Sequence, residues 1–384
     1  VCRIFVVRKY QDVLDRTTGT HTYSYSIRVN AVKPISKKEE SSSAVPWNSQ
    51  SHPQKILAIR FQALGDTVIT LPYLQALHTI WPLSQFHFLT RDEFSDLPRH
   101  MKMFEAVHTI GGGRDRARQF GNAMQLVPHL RKEHYDVVID LQRNMLSRMI
   151  RRLVRPKSFS EFDRFSLNTA GDRTRSTIDN LGAQPIPESL PRLDLRDKHH
   201  GLRTLNEAGY NPGKKLIVLN PAGSVITKCW PLEHFVGFAN GWIDGVDADT
   251  QFLMLGTEHI REKARYLKEK LGDKLINLAE KTTVSEAFNI LQESDLVVSE
   301  DSGLMHMAWV AQVPVVALFG STRSIWSKPI GKWSAYFDSS DLECGECQQP
   351  ECRFGDVRCL SRYTPEIIVK AAGKLLEEKC RSEE

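Results

Sequence analysis

The sequence predicts an α/β chain of two doubly wound, parallel-sheet domains, on three observations. Short β-rich apolar runs alternate with apolar stretches at helical spacing, in two successive series. A proline-bearing segment without a long period separates the series, and turns of small and polar residues follow several of the strand-like runs. Length agrees, since 384 residues suggest about two domains at roughly 100 to 200 residues each. Hydrophobic residues make up 41% and charged residues 25%, which excludes a collagen, a low-complexity polymer or a wholly disordered tail. No uncharged apolar run approaches the ~18 residues that span a bilayer, and the opening VCRIFVVRKY is too interrupted by charge for a secretory signal. A soluble, cytoplasmic protein is expected.

Residues 1–54 hold a polar, serine-rich stretch, KPISKKEESSSAVPWNSQSHPQ, and read as an N-terminal extension of no assigned role. From Lys55 the run KILAIRF reads as a strand, QALGD as a tight loop and TVITLPYLQALHTIWP as a helix, in which Pro72 marks a late start or a kink. QFHFLT, EAVHTI and HYDVVIDL are further strands of a first domain over 55–190. Pro185, Pro187, Pro191 and Pro212 place the linker at about 191–213. In a second domain over 214–364, the strands KLIVLN, TQFLMLG, DLVVS and VPVVALFG alternate with the helical patterns PLEHFVGFANGW, EHIREKARYLKEKL and VSEAFNILQ. PEIIVKAAGKLLEEKC makes a last helix within 365–384.

Ligands of such sheets bind outside the carboxyl ends of the strands, so the loops there are where chemistry is expected. AIRFQALGD delivers Asp66 to the start of a helix, where its carboxylate either takes a proton from a substrate hydroxyl or caps the helix. LNPAGSVITKCWP offers a small-residue turn at Ala222, Gly223 and Ser224, then Thr227 and Lys228; it suits a phosphate or is an ordinary surface loop, and it lacks the glycine before lysine of a P-loop. DLVVSEDSGLMHMAWVAQVPVVALFGSTRS is a compact βαβ unit whose helix begins near Ser302 to Leu304, and its free N–H groups attract a phosphate, with Asp301, Ser302 and His306 adding side-chain contacts. The GGG at 111–113 lacks the spacing of a dinucleotide fingerprint.

The chain carries 51 Lys and Arg against 46 Asp and Glu, net +5, and residues 143–164 alone sum to +5. That stretch is either a solvated helix face or a surface for an anionic ligand or membrane. Cys344, Cys347, Cys352 and Cys359 fall within sixteen residues, close enough to hold a structural zinc or iron, or to be free thiols on a loop. A metal-stabilised module binding nucleic acid through the arginine stretch is a distant reading. The cluster lacks the interleaved aromatic and basic residues that stack bases, so no nucleic-acid partner is expected.

AIRFQALGDTVITLP, LNPAGSVITKCWPLEHF, DLVVSEDSGLMHMAWVAQVPVVALFGST and the tail ending in CLSRYTPE resemble, in order, the bacterial lipopolysaccharide heptosyltransferases, from about Lys55 to Lys379. The resemblance implies a glycosyltransferase-B fold, two Rossmann-like domains facing across a cleft, with the last helix crossing back to the first domain. It implies an ADP-heptose donor and an acceptor at the Kdo or heptose of the inner core, at the cytoplasmic face of the inner membrane. Transfer would be inverting, with no cofactor required for catalysis. Asp66 then matches the base and Lys228 the lysine that meets the diphosphate. Ala222, Gly223, Ser224, Thr227, Asp301, Ser302, Gly303 and His306 are expected at the donor, and Arg60, Gly65, Arg143 and Arg148 at the acceptor. The family's acidic residue after its GxEH turn is here Ile260, so Glu258 is expected to stand in at the ribose. The four-cysteine pattern belongs to a subset of the family. The alternative within the same fold transfers a related sugar to a protein or another surface glycan, and the oligomeric state is left open.

Overall fold

Most of the sheet-forming strands are short and buried on both faces, as parallel strands covered by helices must be: Ile56 to Ile59, Val137 to Asp140, Leu216 to Asn220 and Leu296 to Glu300 are all buried. The computed structural model describes residues 4–8, 12–14, 21–23, 27–31 and 43–383, apart from 114 and 198. Residues 1–43 and 44–384 form separate units. In the first, β1 (Ile4–Arg8) pairs antiparallel with β4 (Ile27–Ala31), and β2 (Asp12–Leu14) with β3 (His21–Tyr23).

The larger unit opens earlier than expected. β5 (Ala44–Val45) pairs antiparallel with β10 (Ser158–Glu161), and the Gln54 N–H donates to Asp136 Oδ2 at 2.7 Å, so residues 44–54 belong to the first lobe rather than to the extension. That lobe continues through β6 (Lys55–Ile59), α1 (Leu64–Ile80), β7 (Gln85–Arg91), α2 (Asp96–His100), β8 (Phe104–Ile110), α3 (Arg116–Lys132), β9 (Val137–Asp140), α4 (Met145–Val154) and α5 (Ala170–Asp179). Pro72 lies inside α1, which begins eight residues before it. The expected linker is not bare chain: α6 (His200–Glu207) lies against the second lobe, where a Cβ on Gly201 would come within 2.3 Å of the Glu286 carbonyl.

The second lobe comprises β11 (Lys215–Asn220), α7 (Leu232–Gly245), β12 (Thr250–Met254), α8 (Arg261–Leu271), β13 (Leu275–Asn277), α9 (Val284–Gln292), β14 (Leu296–Glu300), α10 (Gly303–Val310), β15 (Val315–Leu318), α11 (Ser324–Ser327), β16 (Ser334–Phe337), α12 (Arg358–Ser361) and α13 (Pro365–Glu383). The sheet orders are β5-β10-β9-β6-β7-β8 and β13-β12-β11-β14-β15-β16, parallel throughout except at β5. Both are doubly wound, and the winding reverses between β6 and β9 and between β11 and β14. One apolar cluster runs through both lobes by way of α1 and α10; the outer faces of the two sheets have clusters of their own.

The last helix departs from its expected course. Its stripe Ile368, Ala372 and Leu375 joins the outer core of the second lobe, and its main packing partner is α7. α7 offers Gly237 and Gly241 to Pro365 and Val369, so the two backbones approach closely there, and the helix does not pack chiefly on the first domain. Among the described residues no helix is long and apolar enough to cross a membrane.

Candidate functional site

Each point where the winding reverses carries one of the loops singled out above. In the first lobe β6 runs into Arg60, whose guanidinium donates to the Leu141 carbonyl beyond β9 and lies 2.7 Å from Asp66 Oδ2. Gln142 Oε1 accepts from the Phe61 and Gln62 N–H groups at 2.9 and 3.3 Å, which ties the two strand-end loops together. Asp66 is the third residue of α1, and its Oδ2 also accepts the Ala63 N–H at 3.2 Å. The cap and the carboxylate therefore share one oxygen, and among the described residues no hydrogen bond reaches Oδ1. With its side chain 42% exposed, Asp66 opens into a cavity of about 300 Å³ lined by Arg60, Gln62, Gln142, Phe162, Arg164 and Arg173. The Arg60 and Arg173 guanidiniums lie 5.1 and 5.0 Å from the Phe162 ring centre. Burial lowers the pKa of Arg173 and Asp66 opposes that shift. Three guanidiniums around one carboxylate suit an anionic ligand.

In the second lobe Asn220, at the end of β11, donates to Ser299 Oγ and Ser302 Oγ, both at 2.7 Å. Ser302 caps α10 by accepting the Met305 N–H. Lys228 closes a 3-10 turn, Ile226–Lys228, and its Nζ lies 3.2 Å from Asp301 Oδ2. The loop between Pro221 and Trp230 is clamped by Glu300, whose two oxygens accept the Gly223 and Trp230 N–H groups. Burial pushes the Glu300 carboxyl up to about 7, against the pull of Lys263 Nζ at 3.9 Å. Lys263 also donates to the Pro221 and Gly223 carbonyls at 2.8 and 3.2 Å.

The two halves meet at the amino ends of α1 and α10. Gly65 lies against the His306 ring, where a Cβ would come 2.4 Å from Cδ2, and Gly303 lies against Leu64. Trp309 Nε1, which can only donate, is 3.3 Å from His306 Nδ1, so the His306 proton sits on Nε2. Burial depresses the pKa of His306, while Asp301 and Asp66 on either side pull it up. Two positive helix ends so close repel each other unless negative charge lies between them; Asp66 and Asp301 provide part of it, and a diphosphate would provide more.

The structure thus brings together Arg60, Gly65, Asp66, Lys228, Asp301, Ser302, Gly303 and His306. Other expected residues serve elsewhere. The Thr227 hydroxyl is buried, donating to the Gln349 carbonyl and accepting from Ser321 Oγ at 3.0 Å, so it tethers loops rather than facing a donor. Gly223 spends its N–H on Glu300, while Ala222 is half-buried and Ser224 exposed at the rim. Glu258 is 78% exposed and paired with Arg261; its neighbour His259, also exposed, has Nε2 3.3 Å from the Gly223 carbonyl. Arg143 and Arg148, expected at the acceptor, are engaged with Arg151 around the buried Glu161. Three of the seven basic residues of the stretch thus form an internal charge clamp, and Arg152, Arg155, Lys157 and Arg164 are exposed.

The four clustered cysteines are free thiols, and among the described residues no three His, Cys, Asp or Glu side chains are placed to hold a metal ion. Cys359 Sγ turns toward the Thr227 carbonyl, 3.8 Å away, and Cys352 Sγ toward Asp356 at 3.9 Å. Burial first, then the neighbouring thiols, pushes Cys359 up to about 11, which keeps it protonated. This arrangement does not fit the expected structural zinc or iron. Sequence reasoning missed Gln142, Arg164, Arg173, Lys263 and Glu300; Glu300 stood next to the quoted Asp301, but nothing local marked it as buried.

The family model for glycosyltransferase family 9 (heptosyltransferase) matches residues 172–358. The lipooligosaccharide heptosyltransferase 2 of Campylobacter jejuni serotype O:6 is 30% identical over 322 residues, 81% of this chain and 96% of that protein. The lipopolysaccharide heptosyltransferase 1 of Pseudomonas aeruginosa is 24% identical over 328 residues, 78% of this chain and 88% of that one. The crystal structure of a family 9 glycosyl transferase from Veillonella parvula superposes with a TM-score of 0.72 at 19% identity, covering 85% of this chain and 97% of that chain. That of Escherichia coli ADP-heptose lps heptosyltransferase II gives 0.67 at 20%, covering 85% and 99%. At these identities the superpositions establish the fold.

Proposed function

Because the chain belongs to glycosyltransferase family 9, the heptosyltransferases, we propose that it moves a heptose from ADP-heptose to the Kdo or heptose of a lipopolysaccharide inner core, inverting the anomeric centre, at the cytoplasmic face of the inner membrane. The names of the relatives supply the sugar and the class of acceptor. The observation that carries the mechanism is the free Oδ1 of Asp66, open to a guanidinium-lined cavity on one lobe and across the seam from Asp301 and His306 of the other.

In this reading the acceptor lies in the first-lobe cavity, its negative charge on Arg60, Arg164 and Arg173. Asp66 Oδ1 takes the proton of the attacking hydroxyl while Oδ2, held by Arg60 and the Ala63 N–H, fixes the carboxylate. The hydroxyl oxygen bonds to the anomeric carbon as the bond to ADP breaks on the opposite face. Lys228 and the amino end of α10 stabilise the charge that develops on the departing diphosphate. Incubation with ADP-heptose and a Kdo-bearing acceptor is expected to release ADP and extend the acceptor by one heptose. No release with any inner-core acceptor, from protein that is folded, overturns the proposal.

A further inference from the structure

Among the described residues four large apolar side chains are more than 60% exposed: Leu83, Met145, Phe165 and Leu167. Three of them, Met145 at 82%, Phe165 at 61% and Leu167 at 72%, follow the carboxyl ends of the neighbouring strands β9 and β10: Met145 is the first residue of α4, just past the turn after β9, and Phe165 and Leu167 lie on the turn after β10. The turns are stitched to each other. Arg143 reaches Asp163 at 3.5 Å and lies over the Phe165 ring at 5.6 Å, and Arg164 donates back to the Arg143 carbonyl at 3.3 Å. Asp163 Oδ1 accepts the Phe165 and Ser166 N–H groups at 3.0 and 3.3 Å, so the 162–169 turn is held in shape by its own hydrogen bonds. Phe162 and Arg164 of the same turn line the cavity that holds Asp66. An apolar projection therefore stands directly beside a cationic cavity.

We propose that Met145, Phe165 and Leu167 form a tip that enters the headgroup region of an anionic lipid bilayer and so presents the first-lobe cavity to a headgroup anchored there. This rests on the reading above, in which the acceptor is borne on lipid. Exposed apolar side chains held on ordered turns insert into the boundary between headgroups and acyl chains, roughly 5–10 Å deep. Arg164 at the rim, with Arg60 and Arg173 inside, meets the negative charge of the headgroups. A second copy of this chain fits less well. A two-fold contact would set these guanidiniums against their own copies, and three side chains cover far less than the roughly 800 Å² per partner of a stable interface.

The test is sedimentation of the protein with vesicles of phosphatidylglycerol and phosphatidylethanolamine, against phosphatidylcholine alone, with and without added salt. The protein is expected to partition to the anionic vesicles, less to the neutral ones, and less at high salt. The triple variant Met145→Ser, Phe165→Ser, Leu167→Ser is expected to lose about tenfold or more of that partition with its melting temperature unchanged. Its turnover on a deacylated, water-soluble acceptor should stay within about twofold of the parent, while turnover on vesicle-borne acceptor falls with binding. Unchanged partition overturns the proposal, as does equal loss on both acceptors, or a parent dimer that the triple variant abolishes. Absence of transfer to either acceptor by the parent protein defeats the heptosyltransferase reading instead; partition, which involves no sugar chemistry, still decides the tip.

Discussion

Glu300 and Asp66 are two carboxylates with different tasks, one that holds a loop and one proposed as the base. Glu300 is fully buried and its two oxygens each accept one backbone N–H, from residues at the two ends of the Lys228 loop. In Glu300→Gln one of those N–H groups faces an amide NH2, and a buried donor left unpaired costs about 1–3 kcal/mol. The expected result is a donor KM raised about tenfold with a smaller change in kcat, read from initial rates. The same group sets a pH dependence. Its folded pKa stands at about 7, above the ordinary 4.5, so its contribution to stability is complete below 4.5 and fades as pH rises through 7. Melting temperature against pH should be flatter over that window in Glu300→Gln than in the parent. Asp66→Asn keeps an acceptor for the Ala63 N–H and removes the proposed base together with the charge that meets Arg60. Turnover is expected to fall roughly a hundredfold or more with donor affinity nearly intact, by single-turnover rates and ADP-heptose titration. Equal losses in both would mean that the charge of Asp66 holds the site together rather than taking a proton.

Among the elements, β10 and α4 show where part of the basic stretch is engaged. Glu161 ends β10, buried; burial would raise its pKa, but Arg148, Arg151 and Arg143 outweigh that and hold the carboxyl below its usual range. Arg151→Glu would set a second carboxylate against it, and breaking a buried pair costs about 3–5 kcal/mol. Urea unfolding should show that loss, whereas the exposed Arg152→Glu should change stability by less than about 0.5 kcal/mol. This is also why β10 was not legible beforehand. Its sequence, SFSE, has no apolar run, and the strand rests on backbone pairing with β9 and on two side chains with partners far away in sequence: Ser158 donates to the Val45 carbonyl at 2.5 Å, and Glu161 meets arginines from other elements. Under α3, His87 Nδ1 lies 2.7 Å from the Tyr135 hydroxyl and 3.3 Å from His108 Nε2. Burial, and then His108, lowers His87 to about 4. A histidine kept neutral by the fold contributes stability that is present above its unfolded pKa of about 6.5 and lost as pH falls toward 4. His87→Phe should therefore resist acid better than the parent in melts between pH 7 and 4.

At the scale of the whole molecule, the two sheets were legible because each central strand is an unbroken apolar run followed by a small or polar turn, and that turn also marked Asp66, Lys228 and Asp301. What was not legible depends on distance in sequence. Gly223 and Glu300 are 77 residues apart, and no local pattern says that they meet. The seam between the lobes is of the same kind, since nothing around Gly65 names His306 as its neighbour. That seam carries a last prediction. In Gly65→Ala the new methyl carbon would lie 2.4 Å from His306 Cδ2, and His306 is buried with its Nδ1 held by Trp309, so the ring has no room to yield. The amino end of α1 must shift away from α10, and Asp66 with it. Misplacement of a reacting group by about 1 Å costs on the order of a hundredfold, so kcat should fall by at least tenfold while far-UV circular dichroism and donor binding to the second lobe are retained. Gly303→Ala, whose Cβ meets the Leu64 side chain, nearest at Cδ2 at 3.1 Å, should lose much less. Equal activity of Gly65→Ala and the parent would mean that the lobes do not close on this contact during turnover.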